Sequence, residues 1–248
     1  MSNVKGKNET EILFGLRAGI AICEKRPEDV VRLGYSGEVE REVKDIIRAL
    51  AKRRVECRAM QNKELDRVAG NSHHEGLVLE VKARKWASGA ELGDLLVKNK
   101  GTAIALDRVR NPFNIGAILR SAGFFGVDAI LLGAPAPHPG LDPAAVRVAE
   151  GGAEHIVVSR TTDLADTLGR LRARGVRIVG TDGQSNDDAL TTTFSRPTML
   201  VLGNEREGLG PRIREKCDAM VAIRGSGAVE SLNVGVAAGV LIARLTSR

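Results

Sequence analysis

The stretch Leu200–Leu209, LVLGNEREGL, closes an apolar run that begins at Met199, stops at Gly203-Asn204-Glu205 and reaches a second glycine at Gly208. A short, unbroken apolar run bounded by turn residues reads as a strand buried on both faces, the pattern of a parallel sheet. Similar runs recur on both sides of it, at Ala103–Leu106, Ala129–Leu132, Ile156–Val158, Val176–Val179 and Met220–Ile223, with helical segments between them. This βα alternation predicts an α/β domain with a mostly parallel sheet covered on both faces, ending in a helix over Leu232–Leu245.

Upstream, the periodicity is mixed. Ile12–Cys23 carries apolar residues at helical spacing, and Val30–Tyr35 reads as a strand. Glu38–Arg54 reads as a charged amphipathic helix, Val55–Met60 as a strand, Lys63–Val68 as a helical turn and Gly76–Val81 as an alternating strand. Between Lys82 and Gly93 the sequence KARKWASGAELG loses its period and reads as a linker. The expected organisation is a small α/β unit over residues 1–84, a linker over 85–92 and a larger unit over 93–248. Trp86, the single tryptophan, is expected to pack between the two units.

Composition narrows the partners. The chain of 248 residues carries a net charge of +6, which suits a polyanion. The two parts, 1–92 and 93–248, carry +3 each, so any basic surface must be assembled by folding. Cys23, Cys57 and Cys217 are odd in number and lack C-x-x-C spacing, so neither a disulfide framework nor a zinc site is expected, and a reducing cytoplasm fits. No apolar run approaches a membrane span, and the polar start at Met1–Thr10 gives no support to secretion.

Ligands of open α/β sheets bind beyond the strand ends, and three such segments stand out. In Asp107–Val127 an Asn-Pro turn precedes a helix that Asn111 or Asn114 can cap, and Arg120 is either a solvated helix residue or a fork for a phosphate. In Leu200–Leu209 the glycines allow close approach of backbone amides to a ligand, and Glu205 is either a solvated acid or a partner for a hydroxyl or for Arg120. In Val221–Leu245 a strand runs through a glycine-rich loop to Ser231 and Asn233. Gly225-x-Gly227 imitates a dinucleotide fingerprint, but Glu230 occupies the third glycine position and no second strand follows, which argues against a nucleotide-dependent oxidoreductase.

Taken in order, N-x-G-A-x-x-R-x-A (Asn114 to Ala122), G-N-E-x-x-G-L (Gly203 to Leu209) and S-L-N-V-x-V-A (Ser231 to Ala237) resemble the SpoU/TrmH family of RNA 2′-O-ribose methyltransferases. The resemblance covers residues 93–248, and residues 9–83 are similar to the small RNA-binding unit that often precedes it. It implies a deep trefoil knot, S-adenosylmethionine as cofactor, rRNA or tRNA as substrate rather than DNA, no membrane and no metal, and a homodimer with sites built from both chains. Carried over by motif, Leu202, Gly203, Asn204, Ile223, Leu232 and Asn233 are expected at the cofactor, and Arg120, Asn114, Glu205 and Ser231 at the chemistry. Arg224 and Gly235 depart from the pattern, as does Glu150, which stands where the family usually has a small-residue turn. His73-His74-Glu75-Gly76 matches a loop at the end of the family's N-terminal unit and is expected to be structural.

The resemblance casts the arginine as a base. Guanidinium groups stay protonated in proteins, so a positioning role for Arg120 is the expectation here. An RNA-binding module without catalysis is the remaining alternative.

Overall fold

The computed structural model describes residues 10–133, 140–204 and 206–247. The first sheet has four strands, β1 (Thr10–Phe14), β2 (Val30–Tyr35), β3 (Glu56–Ala59) and β4 (Leu77–Lys82), in the order β1-β4-β2-β3. The β4 strand runs antiparallel to both neighbours, and β2 and β3 are parallel. Helices α1 (Leu16–Lys25), α2 (Glu40–Lys52) and α3 (Asn62–Ala69) complete this part. Leu13, Ile22, Leu33, Val43, Leu50, Leu77 and Leu79 form its core. The expected helix over Ile12–Cys23 is thus corrected: its first residues form β1, paired with β4 through Ile12↔Glu80 and Phe14↔Val78. The apolar spacing is read on two elements joined at Gly15, so the helical period over the whole stretch was accidental.

A second correction concerns Lys82–Gly93. Helix α4 (Gly89–Asn99) starts inside the stretch read as a linker, and Ser88 and Glu91 form a capping box, the Ser88 hydroxyl accepting from the Glu91 amide at 3.2 Å. The residues before it are tied down. The Ala87 amide donates to the Val158 carbonyl and the Ser159 hydroxyl donates to the Ala87 carbonyl at 2.6 Å. Trp86 lies against the core of the second sheet, with the Arg160 guanidinium 4.9 Å over its ring.

The second sheet has six strands, β5 (Thr102–Leu106), β6 (Ala129–Leu132), β7 (Val157–Arg160), β8 (Arg177–Thr181), β9 (Thr198–Leu202) and β10 (Ala219–Val221). Their order is β10-β8-β9-β5-β6-β7 and every pairing is parallel, which bears out the expected α/β class. The β5, β6 and β9 strands are buried throughout, the burial that a parallel sheet covered on both faces demands. Helix α5 (Pro112–Phe125) and the last helix lie on one face, while α4, α7 (Leu164–Ala173) and the short α8 (Pro211–Arg214) cover the other. The last helix, α9 (Val234–Thr246), packs along α5, sharing Ile115, Ile118 and Leu119 with Ala238, Leu241 and Ile242.

Helix α6 (Pro143–Val148) and a 3-10 turn at Gly152–Glu154 join the two halves. A Cβ at Gly116 would lie 2.6 Å from the Val148 Cβ and 2.7 Å from the Ala145 carbonyl oxygen, so only glycine lets α6 approach α5 this closely. On the other side of that turn sits a buried charge cluster. The Glu154 carboxylate, 3% exposed, accepts from Arg26 Nε at 3.1 Å and pairs with Arg84, whose Nη1 also donates to the Ala153 carbonyl. Arg26 Nη1 donates to the Lys82 carbonyl at 3.2 Å.

The His73–Gly76 loop helps hold the same junction. His74 is buried, and its Nδ1 accepts from the Gly76 amide at 3.0 Å, while Nε2 faces Asp66 Oδ1 at 3.3 Å. Glu75 accepts from the Leu16 amide at the start of α1 and pairs with Arg147 of α6 at 2.9 Å.

Candidate active site

Beyond the carboxyl ends of β8, β9 and β10 the chain forms a cleft of ≈ 390 Å³. Its floor is apolar, from Leu202, Val221, Ile223 and Leu241, and its rim carries Asp182, Arg224, Glu230 and Ser231. Location and size are those of a small-molecule site in an open parallel sheet.

The glycine loop after β9 forms one wall. A Cβ on Gly203 would fall 2.4 Å from the Gly208 carbonyl carbon and 2.7 Å from the Leu209 nitrogen, so the loop folds back on itself only because residue 203 has no side chain. The Gly208 amide donates to the Asn204 carbonyl at 2.9 Å, and the Asn204 side chain accepts from the Arg206 amide and donates to the Arg108 carbonyl. Arg108 returns the contact: its Nη2 donates to the Gly208 carbonyl at 2.9 Å, and it pairs with Glu207 and with the buried carboxylate of Asp107. The hydrogen bonds that Arg108 donates to Asp107 raise its pKa further, which keeps this staple charged. The Asp107–Arg108 pair thus joins the first and second motifs. Sequence reading passed over both residues, although an acid-arginine pair directly after a strand was the available signal.

The stretch after β10 forms the opposite wall. The Ala222 amide donates to the Asp187 carbonyl, and Arg224 Nη2 donates to the Ser185 and Asn186 carbonyls at 2.8 and 2.9 Å. The unexpected arginine therefore ties this wall to the loop after β8. On that loop Asp182 is held below the ordinary carboxylate range, first by the hydrogen bond from Arg214 and then by the Gln184 amide.

Asn233 closes the cleft at the start of α9. Its Oδ1 accepts from the Gly235 and Val236 amides as the helix N-cap, and its Nδ2 donates to Asn114 Oδ1 at 3.1 Å. The third motif is thereby joined to the first. Asn111, not Asn114, caps α5, accepting from the Phe113 amide at 2.9 Å, which leaves the Asn114 side chain turned to Asn233. At Gly235 a Cβ would come within 3.1 Å of Asn233 Oδ1, so a larger residue there would crowd the cap.

Of the residues expected at a cofactor, Leu202, Gly203, Asn204, Ile223 and Leu232 line the cleft, while Asn233 stands beside it as the cap. Ser231 lines it as well. Asn114 reaches the site through Asn233, and Glu205 lies outside the described residues. Arg120 does not line the cleft; it sits in the third turn of α5, paired in two-pronged fashion with Glu150 at 2.8 Å on each arm. Among the described residues no helix is long and apolar enough to cross a membrane.

Fold and cleft are those of an open parallel-sheet protein that takes a small molecule beyond its strand ends. Residues 101–243 match the SpoU rRNA methylase family, and residues 12–87 match the RNA 2′-O ribose methyltransferase substrate-binding family. The chain belongs to the SpoU rRNA methylase family, and it is an S-adenosylmethionine-dependent RNA 2′-O-methyltransferase. The 23S rRNA (guanosine-2′-O-)-methyltransferase RlmB of Vibrio vulnificus is 32% identical over 234 residues, covering 94% of each chain. Its namesake in Ralstonia nicotianae is 35% identical over 239 residues, covering 95% of this chain and 94% of that one. Among solved structures, the SpoU methyltransferase AviRb of Streptomyces viridochromogenes in complex with AdoMet aligns with a TM-score of 0.77 at 25% identity, covering 96% of this chain and 89% of that one.

Proposed function

We propose that the chain methylates the 2′-hydroxyl of a guanosine in 23S ribosomal RNA, in the cytoplasm and as a homodimer. The observation that carries the substrate is the near full-length match to relatives of that name at 32–35% identity. In this reading residues 1–84 hold the RNA, 85–92 connect, and 93–248 carry out the transfer.

The cleft fits the methyl donor: an apolar floor for a nucleoside, backbone amides and carbonyls at Leu202–Asn204 and Ile223–Gly225 for its polar edges, and Asp182 and Glu230 on the rim for its cationic parts. Bound there, S-adenosylmethionine supplies an electrophilic methyl group on a sulfonium. The protein's own work is alignment. A ribose hydroxyl is a very weak acid, so rate comes from near-attack positioning and from stabilising charge that develops on its oxygen. Asn114 and Asn233 hold each other in one orientation beside the cleft, and Ser231 presents a hydroxyl to it. Glu205 belongs to the same set by motif. Arg120 grips the phosphate beside the target ribose and stabilises the developing alkoxide.

Arg120 faces away from its own chain's cleft, which supports completion of the site by a second copy. Phe113, Ala117, Arg120 and Phe124 recur on one face of α5, Phe124 is 83% exposed, and Val236 of α9 is exposed beside them. A trefoil knot over 93–248 is in keeping with the wall after β10, which is hydrogen-bonded to the 185–189 loop before α9 turns back onto α5.

Tritium transfer from labelled S-adenosylmethionine to a 23S rRNA transcript, followed by mapping of alkali-resistant positions, tests the reading. One resistant guanosine is expected, and Arg120→Lys, which loses the planar fork, is expected to lower kcat/KM by roughly a hundredfold. Transfer to transfer RNA alone would overturn the substrate, and full turnover by Arg120→Lys would overturn the clamp.

A further inference from the structure

Glu150 adopts φ 45°, a left-handed backbone that favours glycine, although Gly151 and Gly152 follow it directly. Tertiary contacts must hold a residue with a side chain in that conformation, and such outliers gather at functional sites. Here the side chain reaches across to α5. Arg120 Nη1 donates to Glu150 Oε1 and Nη2 lies against Oε2, both at 2.8 Å. This parallel fork is the geometry with which a guanidinium takes two oxygens of a phosphate.

Gly152 lies against the helix at Leu119 and Arg120, where a Cβ would meet the Leu119 carbonyl oxygen at 2.5 Å and the Arg120 Cα at 2.9 Å, so the helix backbone is fixed. The side chains are 57% and 42% exposed, so solvent screens their attraction and a competing anion can reach the fork.

We propose that Glu150 is a specificity-determining placeholder whose carboxylate fills the Arg120 fork in the free protein, so that an RNA phosphate engages it only by displacing Glu150. An RNA that makes few other contacts fails to do so, and the device raises the threshold against wrong RNAs. The proposal rests on the reading of Arg120 as a phosphate clamp.

The test compares wild type, Glu150→Gly, Glu150→Gln, Arg120→Ala and the Glu150→Gly/Arg120→Ala pair. Filter binding to a protein-free 23S rRNA transcript and to poly(U) is measured over about 50–200 mM KCl, the range in which phosphate contacts weaken steeply. Both Glu150 variants should bind poly(U) about threefold more tightly at the low-salt end, with a log-log salt slope steeper by about 0.7, the change for one added contact to a single-strand phosphate. The gain should be larger for poly(U) than for the transcript, and it should fall to less than half in the Arg120→Ala background. Glycine suits the backbone at 150, so Glu150→Gly keeps the fold, and Glu150→Gln retains the side-chain length. Unchanged or weaker binding by both variants, or an equal gain without Arg120, overturns the placeholder. Absence of methyl transfer by wild type would overturn the functional reading instead, and the binding comparison would still decide the role of Glu150.

Discussion

Removing the Glu154 carboxylate should loosen the junction between the two sheets more than any other single charge deletion described above. In Glu154→Ala the guanidiniums of Arg26 and Arg84, both nearly buried, lose the acid that lies between them. Glu11 and Asp29 lie 3.8 and 3.7 Å from Arg26, beyond hydrogen-bond distance, and neither is paired with the Arg84 guanidinium. Breaking a buried ion pair from one side costs about 3–5 kcal/mol, since the remaining charge stays desolvated. With an unfolding entropy of about 2.1 cal/mol/K per residue over 248 residues, this corresponds to a Tm lower by ~6–10 °C. Differential scanning calorimetry at pH 7 reads it directly. A control variant, Glu154→Leu with Arg26→Met and Arg84→Met, should recover most of the loss, because an apolar triad of similar volume carries no desolvation cost. A shift below about 2 °C in Glu154→Ala, which corresponds to ~1 kcal/mol on the same scale, would refute the reasoning.

Three further outcomes follow from the cleft and α5. Asp182→Asn should cost roughly 1 kcal/mol at neutral pH through the lost charged hydrogen bond to Arg214. Because the folded carboxyl titrates below its unfolded value, its contribution is complete above about pH 4 and is lost as pH falls through the lower folded value; melting curves of wild type and Asp182→Asn should therefore converge in acid. Gly203→Ala should raise the Kd for S-adenosylhomocysteine, measured by titration calorimetry, at least tenfold, since the new methyl group must push the Gly208–Leu209 backbone out of the wall; unchanged heat and affinity would contradict the assigned cofactor wall. Phe124→Asp should leave the chain monomeric in sedimentation equilibrium and abolish transfer if a second copy docks on α5 as proposed; an oligomeric state unaffected by this charge would exclude the α5 face.

The six strands of the second sheet were legible because each is a short apolar run buried on both sides, a pattern that needs no partner to be read. At Ile12–Cys23 the same logic misled, since β1 takes its identity from pairing with β4 about seventy residues later. Helix α4 was missed for a different reason: its start is a capping box, Ser88 to Glu91, embedded among small and charged residues. Within the site, the cleft residues Leu202–Asn204 and Leu232 could be placed by motif, and Asn114 meets Asn233 across 119 positions of sequence. Motif reading could not tell that Arg120 turns away from them toward Glu150, because that contact depends on how closely Gly152 lets the turn approach the helix. Asp107 and Arg108 were overlooked because their role is to hold two loops to each other, and neither loop's sequence records the other.

The charge cluster at Glu154, together with Glu75 on Arg147 and the Ala87 bridge to β7, ties the two sheets to each other at three places. These ties set the span from the surface of the first sheet to the cleft of the second. A nucleic acid gripped at one end and modified at the other would have to bridge that span, so its reach and flexibility would count in target choice beside the bases it displays.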